Sequence, residues 1–301
     1  MESLVNAGVR PIVCVDDCSS ERPVFLEKYP AKVVYREKKE GPGAARNSGI
    51  VLADGPYVTF VDSDDEVIGD AIGQCVEALE RTGNDIALYG AETVWLEDGL
   101  KKVDVPDGLC DGEIGPEVVR ELYERSLLNC VWGKVYRKSF LEAHGIRFDT
   151  TAITGEDLIF NLQCLANHPR WCFVPVVGYR YYRTHTSLLS NYKPSLIAGF
   201  RNWNQAWENY ERQTPGAREI MNGIGRFSDM ALLRMEWRNI WMPRSPYSIC
   251  ARWSWLKSHP EVGGWKLFVK TMMYVTARRN LYVRPIRRWN LKRTFPSVVD
   301  L

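Results

Sequence analysis

No stretch of about 18 uninterrupted apolar residues occurs in this chain of 301, so nothing in it has the length of a membrane-spanning helix. No charged n-region followed by an apolar h-region opens it, and a cytoplasmic location is the expectation. The eight cysteines never fall at CxxC spacing and several sit in apolar runs, which favours reduced thiols over disulfides or a zinc site. A triphosphate-gripping Gly/Lys loop is missing, which argues against a nucleotidyltransferase. Missing too is any recognised nucleic-acid-binding motif, so nucleic acid is not an expected partner.

What remains is a globular composition, 45% apolar and 25% charged, long enough for one large α/β domain with an extension. The formal net charge of +2 hides an asymmetry: residues 1–194 hold 21 Lys+Arg against 30 Asp+Glu, and residues 195–301 hold 18 against 7. An acidic body precedes a basic tail.

The body is organised around Tyr57-Val58-Thr59-Phe60-Val61-Asp62-Ser63-Asp64-Asp65, an apolar run that stops at three carboxylates. Read as a central buried strand, it would place Asp62 and Asp64 on one side of an extended chain and turn Asp65 away. Hard oxygen ligands so spaced suit Mg²⁺ or Mn²⁺ sharing its shell with water and phosphate. The same acids also make ordinary turns and helix caps. Upstream, Met1 to Gly8 reads as the last turns of a helix. Pro11 to Val15 reads as a strand ending at Asp16-Asp17-Cys18-Ser19-Ser20, whose acids and hydroxyls can accept hydrogen bonds from a base or ribose, or cap a helix. Lys32 to Tyr35 is another strand. Gly41-Pro42-Gly43-Ala44-Ala45-Arg46-Asn47-Ser48-Gly49 places two glycines before a helix whose first turn carries Arg46, a place where backbone N–H groups and a guanidinium meet a diphosphate, or a simple turn.

Taken together, the Asp16-Asp17 loop, the Ala45-Arg46-Asn47-Ser48-Gly49 helix start and Asp62-Ser63-Asp64 resemble the family 2 glycosyltransferases of the GT-A fold, over about residues 1–190. The resemblance implies a mostly parallel α/β sheet flanked by helices at residues 1–193, lacking the family's first strand, and a helical C-terminal region at 194–301. It also implies a nucleoside-diphosphate sugar donor, with UDP the expected nucleotide, a saccharide or lipid-linked acceptor, inversion at the anomeric carbon, and Mg²⁺ or Mn²⁺. Asp16, Asp17, Arg46, Asp62 and Arg183 would seat the donor, and Asp64, Asp62 and His185 would hold the cation. In Thr154-Gly155-Glu156-Asp157-Leu158, which opens an amphipathic helix, Asp157 would be the base and Glu156 its orienting partner; acids at a helix start are also plain stabilisers. Cys130-Val131-Trp132-Gly133-Lys134 is similar to a segment bordering the acceptor pocket, with Trp132 to stack on a sugar and Lys134 to reach hydroxyls. The alternative is Trp132 in the core and Lys134 in solvent. The short start makes a catalytically silent relative that binds sugar nucleotides or a partner the competing reading.

In the tail, Trp203 with Trp207 and Trp237 with Trp241 stand four apart, on one face of each helix. Such a stripe serves packing, or, interleaved with Arg278, Arg279, Arg284, Arg287, Arg288, Lys292 and Arg293, peripheral contact with an anionic membrane face.

Overall fold

The computed structural model describes residues 1–152, 155–183, 196–221, 229–241 and 245–260. A short helix α1 (Glu2–Asn6) leads into β1 (Ile12–Asp16) and, after a 3₁₀ turn, β2 (Ala31–Tyr35); then come α2 (Pro42–Leu52), β3 (Tyr57–Thr59), β4 (Glu66–Val67), α3 (Ala71–Thr82) and β5 (Ile86–Trp95). A hairpin adds β6 (Lys101–Asp104), and β7 (Gly112–Glu113), α4 (Pro116–Glu124), β8 (Lys134–Arg137), α5 (Lys138–Ala143), α6 (Glu156–Leu165) and the long β9 (Arg170–Arg183) follow. The C-terminal part is helical: α7 (Leu196–Gln213), α8 (Ala217–Met221), α9 (Asp229–Ile240) and α10 (Ile249–Ser258).

Two sheets result. β1 and β2 pair in parallel as a sheet of their own, and a seven-stranded sheet runs β3-β8-β5-β9-β4, with β6 on β5 and β7 on β9. In the larger sheet only β5 and β9 are parallel; the other pairings are antiparallel, so it is mixed rather than mostly parallel. β3 is only three residues long and lies at one end of the strand order, not at the centre. Its apolar continuation, Phe60-Val61, leaves the ladder, which is why an apolar run overstated the strand.

That departure builds the site. Phe60 drops into the main core, where its ring lies edge-on to Tyr136, Phe148 and Phe160 at centroid separations of 5.8, 5.2 and 5.8 Å. Each such pair contributes roughly 0.5–1.5 kcal/mol beyond burial. Phe60 stands two residues before Asp62 and Phe160 three after Asp157, so one aromatic cluster anchors both acidic segments side by side. Tyr136 adds a buried polar tie, donating to Asn161 Oδ1 at 2.8 Å.

α7 belongs to this core. Leu196, Phe200, Trp203, Trp207 and Tyr210 pack into the cluster that holds Phe148 and Phe160, and Trp207 meets Tyr123 edge-on at 5.5 Å. On the other sheet face α3 covers Ala87, Tyr89, Val135 and Tyr179. Trp237, Ile240 and Leu256 form a small third cluster between α9 and α10, with Trp255 stacked on Trp237 at 5.6 Å. The four-residue tryptophan spacing therefore serves packing at Trp203, Trp207 and Trp237. The basic positions from Arg278 to Arg293 lie outside the described residues.

Candidate active site

Arg46 is the hub. Its Nη1 donates to Asp157 Oδ1 at 2.7 Å and to Glu156 Oε1 at 3.3 Å, and its Nη2 donates to Asp62 Oδ1 at 2.7 Å. The guanidinium also faces the Phe148 ring at 5.4 Å. Three motifs separated by up to 111 residues thus meet at one largely buried side chain. α2 begins at Pro42 straight after Gly41, whose φ of +94° is open to glycine. The second glycine, Gly43, is therefore inside the helix and Arg46 lies beyond its first turn, which aims the guanidinium at the acids.

The charge balance is unfavourable as it stands. Burial alone would lower the Arg46 pKa, but Asp157, Asp62 and Glu156 together hold it above its ordinary value. Burial pushes the Asp157 carboxyl up to about 7, against the pull of Arg46 and with the repulsion of Glu156 and Asp62. Glu156 is raised for the same leading reason. One cation faces three carboxylates in a site of low dielectric, so the cluster favours taking up protons or further positive charge.

The acids after β3 are not in extended chain. The Asp65 N–H donates to Asp62 O at 3.2 Å, closing a turn, so the two-apart alternation of a strand does not govern Asp62 and Asp64. Asp62 turns to Arg46 while Asp64 is exposed and has no hydrogen bond or ion pair with the described residues. Among the described residues no three His, Cys, Asp or Glu side chains converge as a ready-made metal site. Asp65 does turn away: it is buried, accepts from Tyr179 Oη at 2.7 Å and from the Tyr182 N–H at 2.9 Å, and burial pushes its carboxyl up to about 7. Tyr179 Oη in turn accepts the Asp62 N–H at 3.1 Å, so this tyrosine, which the sequence did not single out, steadies the acidic turn.

Lys134 is not where an acceptor could meet it. It is 1% exposed, and Nζ donates to Leu127 O at 2.6 Å and Cys130 O at 2.7 Å. Burial lowers its pKa. Its position in β8, with its side chain turned into the core, accounts for the difference. Asn161 donates to Leu128 O and Cys130 O, both at 2.8 Å, so Lys134 and Asn161 together hold the segment from which the Val131 N–H donates to Asp157 Oδ2 at 3.3 Å. Half-buried Trp132 stacks on Tyr179 at 4.6 Å and Tyr181 at 5.5 Å, so tyrosines cover part of the ring expected to meet a sugar.

Asp17 spends both carboxylate oxygens on the turn before α2, accepting the Glu40 and Gly41 N–H groups at 3.1 and 2.7 Å. Asp16 accepts from the hydroxyl and N–H of Ser19, and these bonds hold its carboxyl below the usual range. Arg183 closes β9 opposite Trp95. His185 and Thr154 lie outside the described residues.

Residues 2–104 match the family model described as glycosyl transferase family 2. The chain is 29% identical over 194 residues to the succinoglycan biosynthesis protein ExoO of Rhizobium meliloti (strain 1021), covering 60% of this chain and 54% of that protein. It is 28% identical over 176 residues to the poly(ribitol-phosphate) beta-N-acetylglucosaminyltransferase TarS of Staphylococcus aureus (strain Mu50 / ATCC 700699), covering 56% of this chain and 29% of that protein. The matched part is thus about half of the first relative and less of the second. The crystal structure of S. aureus TarS 1-349 in complex with UDP-GlcNAc shares its fold at a TM-score of 0.59 and 20% identity, covering 83% of this chain and 70% of that one. The fold is GT-A.

Proposed function

We propose, from the premise that residues 2–104 of this chain are a family 2 glycosyltransferase domain, that the protein moves a sugar from a UDP-sugar to a hydroxyl of a saccharide or lipid-linked acceptor, with inversion. The observation that carries the reading is the junction at Arg46 of the Asp62 turn, the α2 start and the Glu156-Asp157 pair. Inversion needs a base on the face opposite the leaving diphosphate, and a carboxyl near 7 is suited to accept a proton at neutral pH. In this reading Asp157 deprotonates the acceptor hydroxyl, Glu156 orients it, and Arg46 with Asp16, Asp17 and Arg183 seats the donor. Trp132 remains an acceptor-side surface through its uncovered part; Lys134 does not.

Exposed Asp64 with Asp62 offers two hard oxygen donors to Mg²⁺ or Mn²⁺, the remaining positions going to water and diphosphate. The cation would neutralise charge on the departing diphosphate. The names of ExoO and TarS support a role in surface polysaccharide synthesis. The charge excess of residues 195–301 supports peripheral contact with the cytoplasmic membrane face, and no helix among the described residues is long and apolar enough to cross a membrane.

The test is UDP release from a panel of UDP-sugars, beginning with UDP-GlcNAc, with Mn²⁺ and with chelator, alongside calorimetric donor binding to Asp64→Asn. Metal-dependent release from one sugar, and loss of metal-enhanced binding in the variant, are expected. Release that ignores chelator, or undiminished metal enhancement in Asp64→Asn, removes the cation assignment. A protein that neither binds nor hydrolyses any donor in the panel removes the transferase reading.

A further inference from the structure

The acid pair at the start of α6 is held from behind by α7. Gly155, the residue before Glu156, has φ +80° and ψ 14°, a left-handed conformation that glycine takes without steric cost. Trp203, 1% exposed, packs against it: a Cβ built on Gly155 would come within 2.4 Å of Trp203 Cε3. The preceding residue of α7, Asn202, donates its amide to Asp149 Oδ2 at 2.8 Å and to Thr151 Oγ1 at 2.9 Å.

The same segment is also gripped by α2. Asn47 donates to Phe148 O at 2.9 Å and accepts the Phe148 N–H at 2.8 Å. The absent Cβ of Gly43 leaves room for Phe148 and Asp149, whose Cβ and carbonyl oxygen would lie 3.2 and 3.5 Å from it. Phe148, Asp149, Thr151 and Gly155 are thus tied to the helix that carries Arg46 and to a helix of the tryptophan-rich C-terminal part.

We infer that Asn202 and Trp203 are positioning residues for the Glu156-Asp157 pair, so that α7 sets the geometry of the base although neither residue touches substrate. The inference rests on the reading of Asp157 as base. Helix ends fray unless tied, and a displacement of about 1 Å at a reacting group costs about a hundredfold in rate. Full loss of the clamp would approach that figure, and loss of one tie would fall short of it.

The experiment compares wild type, Asn202→Ala and Trp203→Phe in three measurements: UDP binding by calorimetry, donor hydrolysis with UDP-GlcNAc or the panel sugar the wild type accepts, and amide hydrogen exchange. Expected are UDP affinity and donor KM within about twofold of wild type and kcat lower by about tenfold. Exchange should be faster in peptides covering 148–165 and unchanged in those covering 42–52. Unchanged kcat overturns the inference. So does unchanged exchange at 148–165, or a loosening of all peptides together with loss of UDP binding, which would mark the residues as merely structural. If the wild type neither binds nor hydrolyses donor, the transferase reading fails, and the exchange pattern alone decides whether α7 holds the pair.

Discussion

Replacing Asp157 by Asn is expected to stabilise the protein at neutral pH while stopping transfer. Burial pushes the carboxyl up to about 7, and an unfolded Asp titrates near about 3.9. Between these values the native state binds a proton that the unfolded state does not, so this group's contribution is fully present below about pH 4 and is lost as the pH rises through about 7. At about 1.4 kcal/mol per unit the limiting difference is about 4 kcal/mol. The pull of Arg46 and of the Val131 N–H on the charged form is already contained in that shift, and the amide mimics the neutral acid. The variant is therefore expected to be the more stable protein at pH 7.5, by up to that limiting difference, and to melt at a higher temperature. Urea unfolding followed by tryptophan fluorescence at pH 5.5 and 7.5 measures it. Wild type should be more stable at the lower pH, and the variant should lose the part of that slope that belongs to Asp157. The rest of the slope belongs to Asp65 and Glu156, both raised by burial. A variant less stable than wild type at pH 7.5, with the slope intact, would refute the account of a desolvated, under-compensated carboxylate.

Three further outcomes can be checked independently. Lys134→Met should cost about 2–3 kcal/mol in chemical denaturation, because Leu127 O loses its Nζ donor in the interior, while UDP affinity stays unchanged; a stable variant with weakened acceptor use would restore Lys134 to the acceptor site. Tyr179→Phe removes the donor to buried Asp65 and the acceptor of the Asp62 N–H, and should lower stability by about 1–3 kcal/mol and weaken Mn²⁺-dependent donor binding; an unaltered cation response would detach Tyr179 from the acidic turn. Gly155→Ala should slow turnover with little change in UDP affinity, since its methyl must displace the Trp203 ring; full kcat would show that the contact is slack.

Motif spacing made the membership of the site legible but not its wiring. Arg46, Asp62, Glu156 and Asp157 were all singled out, since each stands at a strand end or helix start where chemistry is placed. What spacing could not show is that Arg46 would satisfy the acids themselves, because Glu156 and Asp157 are over a hundred residues from it and are brought to it beside the Phe60, Phe148 and Phe160 cluster. Lys134 was misplaced for a related reason: a lysine is seldom buried without a carboxylate, and the backbone carbonyls that receive it carry no side-chain signal. The extended Asp62-Ser63-Asp64 failed because an apolar run does not reveal where hydrogen bonding ends. Asn47 is legible only as part of the Ala45-Arg46-Asn47 helix start, and Asn161 and Asn202 carry no sequence signal, although the side-chain amides of all three bind the backbone and side chains framing the acid pair. The helical spacing of Trp203 and Trp207 was plain; its burial against α6 depends on tertiary contacts.

The two-stranded sheet at the start of the chain divides the molecule into parts of unequal permanence. Only Ile12 of β1 is fully buried and no residue of β2 is. A pair of parallel strands so thinly covered has little cooperative stability of its own. It is held to the rest through α2 and through Asp17 at the Gly41 turn. Residues 12–36 can therefore open without the main core opening, at a free energy well below that of global unfolding. Any ligand gripping Asp16 or Asp17 would act first on this local equilibrium, so nicking by a protease in the first forty residues, rather than the melting temperature, is the sensitive gauge of occupancy.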